Sequence, residues 1–380
     1  MGGLAPAGRD GADRRLSLDR PAQPRIGVHL ELGKGLRRAA ERAETIGARA
    51  VQVFVDNPAA WKRRSSPPKW LDAFLERTAE LDIRPIAVHA SYLVNLAGHD
   101  PEFRARSLDV LASDLAAAPG YGASLVNVHT GSHRGTSLAD GIRRVAEGVA
   151  EVLAREGSSD ERPLASEGVT LVLENAAGGG DAVGATIREH AQIANRAAAL
   201  GVPEGRLAFC LDVAHAWGAG IGMDDPDEID RWLRTFDREL GLSRLALIHF
   251  NDSRSDRGSR TDRHEHVAAG RIGERGLRHL VTHPALRGVP FVLETPGMDA
   301  GYDQINLDRA YALVAGESLE PLPPEAFNLS RRSATAAPAE DDLDPRAARR
   351  RCSAKRRTEG GSRRRAGQPT RSVRHPTGPT

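Results

Sequence analysis

Eight short apolar runs, with helical periodicity between them, set the strongest limit on how this chain can fold. The runs occupy 25–30 (RIGVHL), 49–55 (RAVQVFV), 82–89 (DIRPIAVH), 124–129 (SLVNVH), 168–174 (GVTLVLE), 205–212 (GRLAFCLD), 244–250 (RLALIHF) and 289–294 (VPFVLE). They alternate poorly between apolar and polar, as parallel strands covered on both faces do. Leu36, Ala39, Ala40, Ala43 and Ile46 recur at helical spacing, as do Leu138, Ile142, Val145, Val149 and Val152, and a last helical stretch covers 303–316. Eight strands with intervening helices predict an α/β chain closed into a (β/α)₈ TIM barrel. Periodicity does not by itself prove closure, so a doubly wound open sheet stays open as an alternative.

Composition supports one large domain. The chain has 380 residues, 40% of them hydrophobic. No apolar run approaches the ~18 residues of a membrane span, and residues 1–24 lack the apolar segment of a signal peptide. Two cysteines, Cys210 and Cys352, make no disulfide framework. Together these features predict a cytoplasmic protein with no membrane contact. The expected organisation is a disordered 1–24, a barrel over 25–318, a Pro/Ala/acidic linker over 319–345 and a disordered Arg-rich tail over 346–380. Residues 331–380 hold 14 Lys or Arg against 5 Asp or Glu, so the net charge of +2 leaves −7 on the rest. A barrel of that sign suits a nucleic-acid enzyme only if its carboxylates hold cations. The tail, without apolar periodicity, is suited to non-specific phosphate contact.

Polar residues cluster where a barrel would bring them together. His89, His129, Glu174, Asp212, His215, His249 and Glu294 end strand runs or follow them closely; Asp262 and His264 lie in the loop after the seventh run. All strand ends of a barrel open on one face, so these nine residues predict a shared metal site. Imidazole and carboxylate without thiolate suit zinc, manganese or iron rather than magnesium or calcium. Nine ligands exceed the need of one tetrahedral ion and could serve three if one carboxylate bridges. Asp212 and His215 could serve one ion or neighbouring ones. Gly178-Gly179-Gly180 lacks the pattern of a phosphate-binding loop, Cys210 reads as an inert buried thiol, and no GxSxG elbow is present.

The motifs that carry these residues are HASYLVNLAG (89–98), HTGSHRG (129–135), LENAAGGG (173–180), CLDVAHAWGAG (210–220), HFNDSRSDRGSRTDRHEHVAAGRIG (249–273) and LETPG (293–297). In order and spacing they resemble the endonuclease IV family of apurinic/apyrimidinic endonucleases, over roughly residues 25–318. The resemblance implies a xylose-isomerase-like barrel with three zinc ions. His89 and His129 would hold the first, with Glu174 as catalytic bridge to the second. Asp212, His249 and Glu294 would complete the second site, and His215, Asp262 and His264 would hold the third. The implied reaction is hydrolysis of the phosphodiester 5′ to an abasic site in duplex DNA, in base excision repair. It would leave 3′-hydroxyl and 5′-deoxyribose-phosphate ends, and the enzyme would act as a monomer. Tyr92 and Leu93 would enter the duplex at the lesion, and Asn57 and Trp61 would form a further DNA-contacting loop. The family often has arginine between that asparagine and tryptophan, whereas this chain has Ala59. Lys62, Arg63 and Arg64 follow as candidates for phosphate contact. The competing reading is a metal-dependent sugar isomerase or epimerase on a related barrel, which would need neither the DNA wedge nor the third metal group.

Overall fold

The computed structural model describes residues 23–33, 35–156 and 169–329. The apolar runs form β1 (Ile26–Leu30), β2 (Val51–Val53), β3 (Ile86–His89), β4 (Ala123–His129), β5 (Thr170–Glu174), β6 (Leu207–Asp212), β7 (Leu245–His249) and β10 (Phe291–Leu293). All eight pair in parallel, in the circular order β1-β10-β7-β6-β5-β4-β3-β2, which closes the sheet and rules out the open alternative. Two further strands, β8 (Asp252–Ser253) and β9 (His264–Glu265), form an antiparallel pair in the loop after β7.

The ring outside the barrel consists of α1 (Leu36–Ile46), α2 (Leu71–Glu80), α3 (Pro101–Ala117), α4 (Leu138–Glu156), α5 (Ile187–Ala199), α7 (Pro226–Leu240), α8 (Gly273–Thr282) and α9 (Tyr302–Ala315), while α6 (Val213–Gly218) is a short turn following β6. In α1 the five residues with helical spacing are the five that are buried, and Gly47 ends the helix at φ 73°. Asp100 starts α3 by accepting the Phe103 N–H at 2.8 Å, with Pro101 fixing the first turn. Leu138 departs from the expected stripe: it is exposed, and the apolar face of α4 begins at Ile142.

Two apolar cores hold these layers together. The larger lies between strands and helices and includes Phe74, Leu111, Phe209 and Phe291. The smaller fills the barrel interior with Ala87, Val172, Ala208, Cys210, Leu247 and Val292. Side chains on a strand return to the same face every second residue. Two steps beyond Ala87, Val172, Cys210, Leu247 and Val292 stand His89, Glu174, Asp212, His249 and Glu294. The inner core therefore fixes which residues line the barrel mouth.

The chain stays packed beyond residue 318. A 3₁₀ turn over Pro324–Asn328, in the stretch whose composition reads as linker, buries Ala326, and the His266 ring donates from Nε2 to the Ala326 carbonyl at 2.9 Å. Residues 1–22 and 330–380, including the whole expected Arg-rich tail, lie outside the described residues. No helix among the described residues is long and apolar enough to cross a membrane.

Gly27 marks the tightest point of the barrel wall. A Cβ built there would lie 1.6 Å from the Ala50 carbonyl oxygen. Backbone cannot rotate away as a side chain can, so Gly27→Ala is expected to cost about 3 kcal/mol of folding stability. Urea unfolding measures this; a variant as stable as the wild type would show that the wall yields.

Candidate metal centre

Strand register assembles the centre. His129 pairs with Glu174 across β4 and β5, Glu174 with Cys210 across β5 and β6, and Asp212 with His249 across β6 and β7. The β8–β9 pair carries His264 back over the mouth, with Asp262 just before it. Asp252 shapes this loop from a fully buried position. It accepts N–H groups of Ser253, Gly270, Ile272 and Gly273 at 2.7–3.0 Å.

All nine predicted residues converge, in overlapping groups. His89 Nε2 and His129 Nε2 lie 3.6 and 3.7 Å from Glu174 Oε2. His249 Nδ1 faces Glu174 Oε1 at 3.4 Å, Glu294 Oε2 at 3.2 Å and Asp212 Oδ2 at 3.7 Å. Asp262 offers one oxygen to His215 Nε2 and the other to His264 Nε2, each at 3.2 Å. Asp212 stands between the last two groups. Its ligand atoms come within 4.8 Å of His249 and Glu294 on one side and of His215 and His264 on the other.

Four of the five histidines are anchored through one ring nitrogen. His89, His215 and His264 each donate from Nδ1 to a main-chain carbonyl, those of Ala90, Asn175 and Glu294, at 2.7–2.9 Å. His249 donates instead from Nε2 to the Gln52 side-chain oxygen at 3.1 Å. Each bond fixes the tautomer and leaves the other nitrogen bare toward the centre, the usual preparation of a histidine ligand. The carboxylates are pinned as well. Asn127 donates to Glu174 Oε2 at 2.6 Å, and Gln52 to Glu294 Oε1 at 2.6 Å. Asn251 donates to Asp212 Oδ2 at 3.1 Å and accepts the Glu294 N–H at 2.7 Å.

Burial and unspent hydrogen-bonding capacity test whether a metal fits. Glu174 Oε1, His249 Nδ1 and His264 Nε2 are buried without a hydrogen-bond partner. Leaving such atoms unpaired costs stability, so two of them in the Glu174–His249 group and one in the neighbouring His215–His264 group call for cations. The electrostatics agree. Burial opposes ionisation of Glu174, yet the imidazoles of His129, His249 and His215 hold it well below the usual carboxylate range. Burial likewise opposes protonation of His264, but Asp212 and Asp262 push it up to about 10. Cys210 stays a thiol, pushed up to about 12 by burial. The donor set is nitrogen and oxygen, as zinc and its neighbours prefer.

The residues expected to contact DNA are distributed unevenly around this mouth. Tyr92 is half exposed, its ring 5.6 Å from His89 and 5.0 Å from Phe54, and Leu93 beside it is partly exposed. Asn57 accepts the Ala59 N–H at 3.0 Å, which makes a turn with Ala59 exposed on it. Trp61 is partly buried, edge-on against Phe103. Arg63 and Arg64 turn back toward Asp114 and Asp56, so Lys62 is the exposed cation of the three. Exposed Arg134, Arg260 and Arg263 occupy the loops after β4 and β8. Sequence reading missed Gln52, Asn127, Asn251 and His29, whose Nδ1 lies 3.1 Å from Glu294 Oε1. Their signal was a polar residue within or just after an apolar strand run.

Comparison with known proteins follows the same lines. The family described as "Xylose isomerase-like TIM barrel" matches residues 40–318. A "Probable endonuclease 4" of Halorhodospira halophila is 39% identical over 281 residues, covering 74% of this chain and 91% of that protein. Its namesake in Solibacter usitatus is 36% identical over 299 residues, covering 79% and 99%. The crystal structure of endonuclease IV from Thermus thermophilus aligns with TM-score 0.64 and 36% identity, covering 77% of this chain and 100% of that one. A D-tagatose 3-epimerase-like protein aligns with TM-score 0.56 at 15% identity, a likeness of fold alone.

Beneath the two loops at this mouth, Asp114 is 2% exposed, accepts the Ser91 N–H at 3.2 Å and faces Arg63 Nε only at 4.0 Å. Burial pushes its carboxyl up to about 7, against the opposing pull of Arg63. An acid raised in the folded state contributes most to stability below its unfolded pKa of ~3.9 and loses that contribution as pH rises through about 7. Between about pH 5 and pH 8 this group should therefore remove ~2.5 kcal/mol from the wild type. Asp114→Asn should lack that loss, and urea unfolding of both proteins across the range reads the difference. A constant gap between them would overturn the assignment.

Proposed function

The chain belongs to the endonuclease IV family of xylose isomerase-like TIM barrels, and from that membership we propose that it hydrolyses the phosphodiester 5′ to abasic sites in duplex DNA. The observation that carries this reading is the convergence of nine nitrogen and oxygen ligands at the barrel mouth, with three of their buried atoms unpartnered.

His89 and His129 would hold one zinc ion; Asp212, His249 and Glu294 a second; His215, Asp262 and His264 a third; and Glu174 would bridge the first two. Bound zinc supplies Lewis-acid chemistry there, making water a nucleophile near neutral pH and offsetting charge on a phosphodiester. The protein's own residues set the conditions for that chemistry. Asn127 fixes Glu174 through Oε2 and leaves Oε1 free, which supports a role as bridge and orienter rather than as a lone base. Gln52 holds His249 and Glu294 together from below. Arg134, Arg260 and Arg263 add positive charge around an acidic centre, where a phosphate backbone would otherwise be repelled.

Lesion selection would rest on Tyr92 and Leu93. Their partial exposure beside His89 suits an apolar wedge that replaces stacking when an abasic nucleotide turns outward. Asn57 and Trp61 would act mainly by shaping the neighbouring loop, since Asn57 is engaged in its turn and Trp61 packs on Phe103. Ala59 cannot insert into the duplex as an arginine would, and Arg63 turns back toward Asp114. Fewer side chains would therefore enter the lesion here than in relatives with arginine at that position.

Purified protein should contain about three zinc ions, cut a duplex on the 5′ side of a single abasic analogue, and lose that activity on thorough chelation. One metal per fully active chain, or no cleavage of the abasic duplex, would overturn the reading. Glu174→Ala should lose two ions and Asp262→Ala one, by elemental analysis. The double variant Tyr92→Ala/Leu93→Ala should keep its zinc but process abasic DNA at least about tenfold more slowly. Unchanged cleavage in that variant would remove the wedge.

A further inference from the structure

Away from the barrel mouth, two histidines and a carboxylate converge on the outer helical ring. Asp230 lies in α7, His279 in the last turn of α8, and His283 is the residue that ends α8. His279 Nε2 and His283 Nε2 approach the same atom, Asp230 Oδ1, at 2.7 and 3.3 Å. A separation of four residues sets the two rings on one side of the helix end, with centroids 5.3 Å apart. Ligand atoms of all three residues fall within 4.8 Å of one another. The side chains are 34%, 30% and 17% exposed in that order, so solvent reaches the cluster, unlike Glu174, Asp212 and His249 in the barrel.

We propose that Asp230, His279 and His283 form a separate divalent-cation site that clips α7 to α8. Two imidazoles and one carboxylate make three ligands of a tetrahedral site, with water as the fourth. That set selects zinc, nickel or copper over magnesium and calcium, which require more oxygen. Arg234, one turn along α7, contributes positive charge, so the cation is held by ligand bonds rather than by a negative field.

The protons can be followed. His283 Nδ1 accepts the Ala285 N–H at 3.2 Å, so in the metal-free protein its Nε2 carries the proton and donates it to Asp230. A cation at Nε2 moves that proton to Nδ1 and releases the Ala285 amide, while His279 Nε2 yields its own proton to the other ring nitrogen or to solvent. Burial holds His283 below the ordinary histidine range, which keeps the ring neutral and available as a ligand.

The test uses full-length protein with its barrel centre loaded, dialysed against Ni²⁺ and measured by elemental analysis. Wild type is expected to bind one nickel equivalent more than Asp230→Asn/His279→Gln, and nickel is expected to raise the melting temperature of the wild type alone. His283→Gln by itself should lose the same equivalent, which guards against misfolding of the double variant. The backbone amide signal of Ala285 should shift or broaden on nickel addition in the wild type. Equal stoichiometry in wild type and variants, or an Ala285 signal indifferent to nickel, overturns the proposal. Counting by difference makes the result independent of how many ions the barrel holds.

Discussion

Mutual repulsion among Glu174, Asp212, Asp262 and Glu294 is the constraint that the rest of the barrel mouth answers. Like charges gathered here, all but Asp262 largely out of water, cannot all stay ionised unless positive charge stands among them. The surrounding imidazoles supply part of it, which is why His264 is held up to about 10 despite its burial. Cations would supply the rest and would also take up the bare atoms of Glu174, His249 and His264. The amides of Asn127, Asn251 and Gln52 then act as spacers. Asn127 and Gln52 hold one oxygen of Glu174 and of Glu294, respectively, and leave the other toward His249. Asn251 and the His215 N–H hold the two oxygens of Asp212 and keep Oδ2 facing His249 and His264.

Much of the architecture was legible in the sequence because parallel strands have a simple grammar. Buried on both faces, they appear as unbroken apolar runs, and eight such runs matched eight strands within a few residues at each end. Closure was not legible, since it depends on β1 meeting β10 across the whole length of the chain. Among the ligands, His89, His129, Glu174, Asp212, His249 and Glu294 announced themselves as polar residues at or next to the ends of apolar runs. The partition of Asp212 was hidden, because it depends on how far the β8–β9 loop folds back over the mouth. Asp114 and Arg63 were invisible for another reason. They sit on a helix and in a loop whose contact is set by tertiary packing alone.

The fold by itself says little about chemistry. Epimerase-like proteins share the barrel at low identity, so the discriminating feature is what the loops add to it. Here the loop after β7 returns as a hairpin and brings Asp262 and His264 to His215, enlarging the ligand set beyond what the strand ends alone provide. Asp252 makes that return reproducible by gathering four main-chain N–H groups onto one carboxylate. The two ends of the loop that widens the centre are thus tied to one another through a single buried carboxylate.

The anchoring of the histidine rings bears on how such a centre drifts over evolutionary time. For His89, His215 and His264 the anchor is a main-chain carbonyl, present whatever side chain occupies that position. No single substitution at Ala90, Asn175 or Glu294 deletes the acceptor atom. His249 alone of the four depends on a side chain, Gln52, which lies on a different strand and also steadies Glu294. A side-chain change behind these three rings does not by itself turn them, whereas a change at residue 52 disturbs two ligands at once. Gln52 and His249 are therefore expected to be inherited as a pair: a lineage that replaces the first must find another acceptor for the second, or re-orient the ring.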